Sequence, residues 1–242
     1  WLDSDGYSNE QKDRTIWVDK SGNGNNGEFI DFNFSTNGWS PIVAEVDKDG
    51  NEVTVQYNGL VCNNDAYVRI PYKPFRENVI NGYTMEIVYT PEHSGNDLAR
   101  VLEYVDHESP YTGVFIDINE ANIKSESETS MGTVDLDYES GEIQVDFVID
   151  RENKMCRMYV NGIVSRYWML SDSGNTRESF AIDTDYIYIN FSAINPEFRG
   201  GTNVVRKFIC YERALTHDEV IQNLIANQPD LPSMQKMYKW NY

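Results

Sequence analysis

The sequence predicts an all-β chain, a two-sheet antiparallel sandwich that ends in one short helix. Three observations carry this. Short apolar runs alternate with polar residues at period two, which sets one face of each strand on a core. Turns rich in Gly and Asn separate these runs at short intervals, as hairpins do and parallel strands with helical crossovers do not. Helical spacing stands out in one segment only, after residue 215.

The elements follow in chain order. Asp49-Gly50, between Val46 and Val53, marks a first hairpin. At residues 84–89, Met85, Ile87 and Tyr89 share one face and Thr84 and Glu86 the other. Val114, Ile116 and Ile118 alternate against Asp117, and Ser140-Gly141 turns the chain before Ile143. Asn161-Gly162, within MYVNGIV, is the strongest hairpin signal, because both residues tolerate the positive φ of a type I′ turn. In YIYINF at 186–191, Ile187 and Ile189 oppose Tyr186 and Tyr188. Thr216 and Glu219 form a T-x-x-E capping box ahead of Val220, Ile221, Leu224 and Ile225, which recur at helical spacing. Beyond Asn227 come two prolines and no periodicity. The sandwich is therefore expected over residues 1–227. Residues 228–242, with Tyr238, Trp240 and Tyr242, are expected as a linker or a strap onto a neighbouring domain.

No Pro/Gly/Ser-rich linker divides the 242 residues, which are enough to bury a core without disulfides. The three cysteines, Cys62, Cys156 and Cys210, are an odd number and two sit in apolar runs. They read as small buried hydrophobes, which suits a virion component folded in a reducing cytosol or a bacterial surface protein without disulfides. Twenty Lys and Arg against 39 Asp and Glu give a formal charge of −19. That field repels phosphate backbones and anionic lipid, so nucleic acid is excluded as a partner. No apolar stretch reaches the roughly 18 residues of a membrane span, so membrane insertion is excluded too. The chain begins at Trp1 instead of Met, read as a processing boundary with any targeting signal outside it.

The most distinctive local stretch is WVDKSGNGNNG at 17–27, with several residues free to adopt left-handed conformations. Two readings are open. Asp19, Asn23 and Asn25 offer the hard oxygen ligands that Ca²⁺ needs on a tight loop. Equally, side-chain to backbone bonds can hold such a loop with no metal at all. The pairs Asp135/Asp137 and Asp183/Asp185 are further calcium candidates, or solvated strand edges.

WVDKSGNGNNGEF resembles the opening of a laminin-G-like (concanavalin A-like) jelly-roll domain of the bacterial and phage type. Four further stretches match the family in order. These are residues 58–71, with DAYVRIP; YTMEIVYTP at 83–91; residues 144–162, ending in MYVNG; and VRKFICYERALTHDEV at 205–220. The resemblance spans residues 15–226 and lapses at 92–112 and 165–203. It implies a two-sheet jelly roll, often with one structural calcium, that binds glycans or proteins. It further implies a module of a phage virion protein (tail, fibre or capsid) or of a bacterial cell-surface protein, with other virion proteins as partners. A fold alone does not fix a function.

Some glycoside hydrolases share this fold, and their chemistry needs two carboxylates about 5–9 Å apart. Glu28 and Asp31 have the wrong spacing, Glu142 and Asp146 lack a third acid in step, and Glu86 has no acidic neighbour on its strand. Of the three histidines, His93 and His107 lack zinc spacing and His217 falls in the capping turn. A non-catalytic module is therefore expected, with a structural assembly domain, or a diverged hydrolase, as the alternatives. Glycan binding asks for exposed aromatic planes flanked by polar groups. The candidates are Trp39, Trp168, and the cluster Tyr104, His107 and Tyr111 with Arg100, Asp106 and Asn96. Each aromatic has core packing as its alternative reading, and of the neighbours Tyr167 and Trp168 one is expected to point inward.

Overall fold

The computed structural model describes residues 1–46, 50–56, 59–63, 65–72, 82–92, 99–105, 113–124, 130–136, 141–169, 184–199 and 201–227. The first nine strands are β1 (Leu2–Asp3), β2 (Ile16–Trp17), β3 (Gly27–Ile30), β4 (Gly38–Trp39), β5 (Ile42–Val46), β6 (Glu52–Gln56), β7 (Leu60–Cys62), β8 (Tyr67–Pro71) and β9 (Gly82–Glu92). Then come β10 (Arg100–Val105), β11 (Gly113–Asp117), β12 (Glu120–Lys124), β13 (Ser130–Asp135), β14 (Ile143–Asp150), β15 (Met155–Val160), β16 (Ile163–Met169), β17 (Tyr186–Ile189) and β18 (Thr202–Tyr211). The helix α1 (His217–Asn227) closes the described chain.

Two antiparallel sheets result. One runs β16-β15-β14-β9-β18-β7-β4, with β1 also pairing with β18; the other runs β13-β12-β11-β10-β17-β8-β3-β2. The strands β5 and β6 form a separate ribbon, with Val46 opposite Glu52. It is the hairpin expected at Asp49-Gly50, of which Asp49 lies outside the described residues.

Period-two patterning decides which face goes inward. On β9, Tyr83, Met85, Ile87 and Tyr89 enter the core, and their β14 partners Ile149, Phe147, Val145 and Ile143 enter with them. On the facing sheet Val68 and Ile70 of β8, Ile187 and Ile189 of β17, and Val114 and Ile116 of β11 complete the layer. Each such buried side chain contributes about 1.5–3 kcal/mol, so this layer outweighs any one polar contact. Asn161 (φ 48°) and Gly162 (φ 77°) make the expected turn between β15 and β16. The Asn161 Oδ1 also accepts from the Gln144 amide at 2.9 Å, tying the hairpin to β14.

The capping box forms as the sequence predicts. The Thr216 amide donates to Glu219 Oε2 at 2.9 Å, and the Glu219 amide donates to Thr216 Oγ1 at 3.3 Å. The helix lies on the outer face of the first sheet, where Val220 and Leu215 bury against Val148 and Tyr159. At the opposite flank Arg166 Nε donates to the Thr133 carbonyl at 3.3 Å, joining the edge strands β16 and β13.

Candidate functional site

The glycine loop is organised by one carboxylate. Asp19 is held with its side chain fully buried. Its Oδ1 accepts from the Ser21 amide at 2.9 Å and from the Trp1 backbone nitrogen at 2.8 Å. Its Oδ2 accepts from Ser21 Oγ at 2.8 Å and from the Asn25 amide at 3.1 Å. Burial alone would raise this carboxyl, but the hydrogen bonds outweigh it and hold Asp19 well below the usual carboxylate range. Gly22 (φ 82°) and Gly24 (φ 79°) supply the left-handed backbone that wraps the loop around it.

This arrangement favours the second reading of the loop, a turn held by side-chain to backbone bonds, over calcium at Asp19, Asn23 and Asn25. A calcium ion takes six to eight oxygens. Here the one carboxylate already receives four donors, and Asn23 is exposed. Among the described residues no group of three His, Cys, Asp or Glu converges on a point. The Asp19 oxygens are thus engaged by protein donors. Asp135 and Asp185 are exposed, and their partners Asp137 and Asp183 lie outside the described residues.

What the loop does build is the rim of a cleft. The Lys20 amide donates to the Trp1 carbonyl at 2.8 Å, which together with the Asp19 contact pins Trp1 against the loop. The Trp1 ring stays 48% exposed. Antiparallel pairing of β1 with β18, Leu2 opposite Phe208, brings the end of β18 alongside. Between them opens a cleft of about 230 Å³. Its floor is apolar, from Ile70, Tyr72, Ile187 and Phe208; its rim carries Trp1, Ser21, Asn23, Asn25 and Glu212. An exposed indole, two amides, a hydroxyl and a carboxylate above an apolar floor can stack on one face of a small polar ring and hydrogen-bond its edge. At Trp1, which the sequence marks only as a boundary, and at Tyr72 and Glu212, no local pattern signals a site.

The aromatic candidates fall elsewhere. Trp39 is 3% exposed, enclosed by Tyr7, Trp17 and Phe29 at ring-centroid distances of 4.5, 5.1 and 5.6 Å. It is a core residue. Tyr104 is 1% exposed, because β10 continues through Val105 and directs Tyr104 inward with Leu102. Trp168 packs on the core opposite Cys156, while its neighbour Tyr167 is the outward one at 68% exposure. Arg100 is buried too. Its Nε lies 2.9 Å from Asp117 and 3.8 Å from Glu103, and its guanidinium is sandwiched between Phe115 and Phe198. Trp39, Tyr104 and Arg100 are closed to a sugar from solvent, whereas Trp168 is half-buried. His107, Tyr111, Asp106, Asn96 and His93 lie outside the described residues. His217 is exposed at the start of α1, stacked on Tyr159.

The outer face of the second sheet presents another aromatic group, Tyr67, Tyr186, Tyr188 and Phe191. Its faces are already used. Tyr67 stacks on Phe191 at 4.1 Å, Arg69 covers Tyr186 at 4.9 Å, and Arg199 covers Phe191 at 4.1 Å.

Two acid pairs arise that sequence spacing did not reveal. Asp146 is the register partner of Glu86 across β14 and β9, which sets their Cβ atoms about 4.5–5.5 Å apart. Both are fully buried beneath α1. Glu86 accepts from Asn223, Asn227 and Tyr211 at 2.7, 2.9 and 3.3 Å. Burial, and then the Glu86 charge, push the Asp146 carboxyl well above its usual range. The second pair, Glu103 and Asp117, is committed to Arg100, and Glu103 also accepts from Ser192 Oγ and the Ala193 amide. Neither pair borders the cleft.

No protein-family model matches the sequence, and no curated protein sequence matches it. Solved structures do match in fold. The binding domain of botulinum neurotoxin DC in complex with rat synaptotagmin II superposes with a TM-score of 0.57 at 11% identity, over 89% of this chain and 50% of that one. The same domain in complex with SialylT gives 0.57 at 11% identity, over 89% and 49%. The binding domain of botulinum neurotoxin serotype G gives 0.54 at 13% identity, over 87% and 48%. The chain thus spans about half the length of the solved chains it matches. At this identity the likeness is one of fold, a β-sandwich shared with toxin receptor-binding domains.

Proposed function

We propose that this jelly roll is a non-catalytic carbohydrate-recognition module that holds its sugar in the cleft between Trp1, the 19–25 loop and the end of β18. One observation carries the reading: an exposed indole and two asparagines converge over an apolar floor. The fold neighbours lend support, since one is described with SialylT and another, botulinum neurotoxin type C, with two ganglioside molecules. The sealed acid pairs weigh against glycoside hydrolysis, which needs carboxylates that reach substrate and water. From the laminin-G-like motifs we further propose that the module belongs to a phage virion or bacterial surface protein.

A glycan array including bacterial cell-wall polysaccharides tests this. The expected result is specific binding that Trp1→Ala weakens at least tenfold, with the fold kept because the Trp1 backbone bonds to Asp19 and Lys20 remain. A blank array from folded protein would sink the reading. A second reading then gains weight, that of an assembly domain, because the edge strand β16 exposes Ile163, Val164, Tyr167 and Met169.

A further inference from the structure

The charge around the cleft says which sugars it can take. Among the described residues that line it, Glu212 alone has a charged side chain. Beneath the rim lies a second carboxylate, Asp19, which is paired with the positively charged Trp1 nitrogen at 2.8 Å and holds Ser21 and Asn25 in place, so that it adds little net charge. The neighbouring side-chain cations face elsewhere. Lys20 Nζ donates to the Asp5 carbonyl at 3.1 Å and lies 3.8 Å from Asp3, and Arg213 pairs with Glu219 at 2.7 Å. The chain as a whole carries −19. An anionic ligand would meet a carboxylate at the rim and a negative field on approach, with no cationic side chain among the described lining residues to offset its lost hydration.

Size and shape narrow the ligand further. At about 230 Å³ the cleft is smaller than the roughly 300–1,000 Å³ of drug-sized pockets. Its inner end is closed by Ile70, Ile187 and Phe208. That space is of the order of one sugar ring. Trp1 offers a face for ring C–H groups, while the asparagine amides both donate and accept, which matches hydroxyls rather than a carboxylate.

Building on the carbohydrate reading above, we propose that the cleft binds an uncharged terminal sugar residue and discriminates against the sialylated or uronic acid counterpart, with Glu212 as the discriminating residue. Specificity of this kind is carried by a repulsive element as much as by attractive ones.

The test uses matched pairs of neutral glycans and their sialylated or uronic counterparts, immobilised on one array and titrated at low and high salt. Neutral members are expected to bind at least tenfold more tightly, and Glu212→Gln to narrow that gap without weakening neutral binding. High salt should narrow it as well, since screening weakens the repulsion. Sialylated glycans that bind as tightly as neutral ones, and lose binding in Trp1→Ala, would overturn the selectivity while leaving the site standing. Binding that Trp1→Ala leaves untouched would overturn the site itself. No binding to any member of any pair would overturn both.

Discussion

Glu86 and Asp146 face each other on adjacent central strands, and α1 lies over both. Glu86 has three hydrogen-bond donors. Asp146 has Gln144 Nε2 at 3.1 Å on Oδ2 and, among the described residues, no partner on Oδ1. The two acids are therefore unequal, and burial beside Glu86 favours the protonated form of Asp146. Its carboxyl is raised by burial first and by the Glu86 charge second.

That proton makes stability depend on pH. The unfolded chain releases it above about pH 4, whereas the folded chain keeps it. Stability therefore falls as pH rises from about 4 through the raised folded value. Asp146→Asn removes the dependence. It should melt above the wild type at pH 8, by about 2–4 °C for each kcal/mol recovered, with the difference shrinking towards pH 4. Glu86→Gln should destabilise, costing about 1–3 kcal/mol, because it puts an amide donor among donors. Thermal melts at pH 4, 6 and 8 read both. An Asp146→Asn variant no more stable at pH 8 than at pH 4, relative to wild type, would mean that Asp146 is ionised.

Arg100 behaves as a structural cation. Arg100→Ala strands Asp117 and Glu103 in a buried site and leaves Phe115 and Phe198 without the group between them. Breaking a buried pair in this way costs about 3–5 kcal/mol. The expected outcome is a drop in denaturation midpoint. Glycan binding per folded molecule should stay the same, which separates this role from that of a ligand contact.

These relationships mark where sequence reading stops. Alternation at 84–89 gives the core face of β9 because each side chain's direction is a local property of a strand. Asn161-Gly162 and the Thr216–Glu219 box are local too, and both form where the residues place them. The pairing of Glu86 with Asp146 is set by register between distant segments, which no spacing within either strand records. Tyr104 fails differently. The register shift between Arg100 and Leu102 breaks the alternation just ahead of it, so Val101 and Leu102 are both buried and the strand reads as a loop. The cleft was not legible: the loop of Asn23 and Asn25 stands out in the sequence only as a calcium or turn candidate, and Trp1 and Glu212 reach it only through the pairing of β1 with β18.

The Asp19 loop gives a prediction about metal. Its carboxylate is satisfied by amides and a hydroxyl, so the melting temperature in EDTA should equal that in millimolar calcium. A rise of several degrees on adding calcium to metal-free protein would restore the metal reading. Asp19→Ala, in contrast, leaves several donors without an acceptor, at about 1–3 kcal/mol for each one kept from water. Because the folded carboxyl is held low, its contribution is present above about pH 4 and persists well into acid. The loss in Asp19→Ala should therefore be undiminished at pH 4.

The thiols report on both the core and the cleft. Cys62, Cys156 and Cys210 are free. Cys62 and Cys156 are fully buried, and burial raises both thiols far above their usual range. Cys210 lies on β18 beside the cleft, partly accessible, with its thiol pushed up to about 12 by burial. Only the thiolate attacks a disulfide reagent, so all three should react slowly at pH 8 in the folded protein and promptly in denaturant. Cys210 should be the first to react, being the one that solvent reaches. A sugar seated in the cleft should slow Cys210 and leave the other two unchanged, since they open only with the fold. Mass spectrometry after timed labelling, with and without a bound glycan, reads each cysteine separately. Protection of Cys62 or Cys156 by the same glycan would point to global stabilisation rather than occupancy of the cleft.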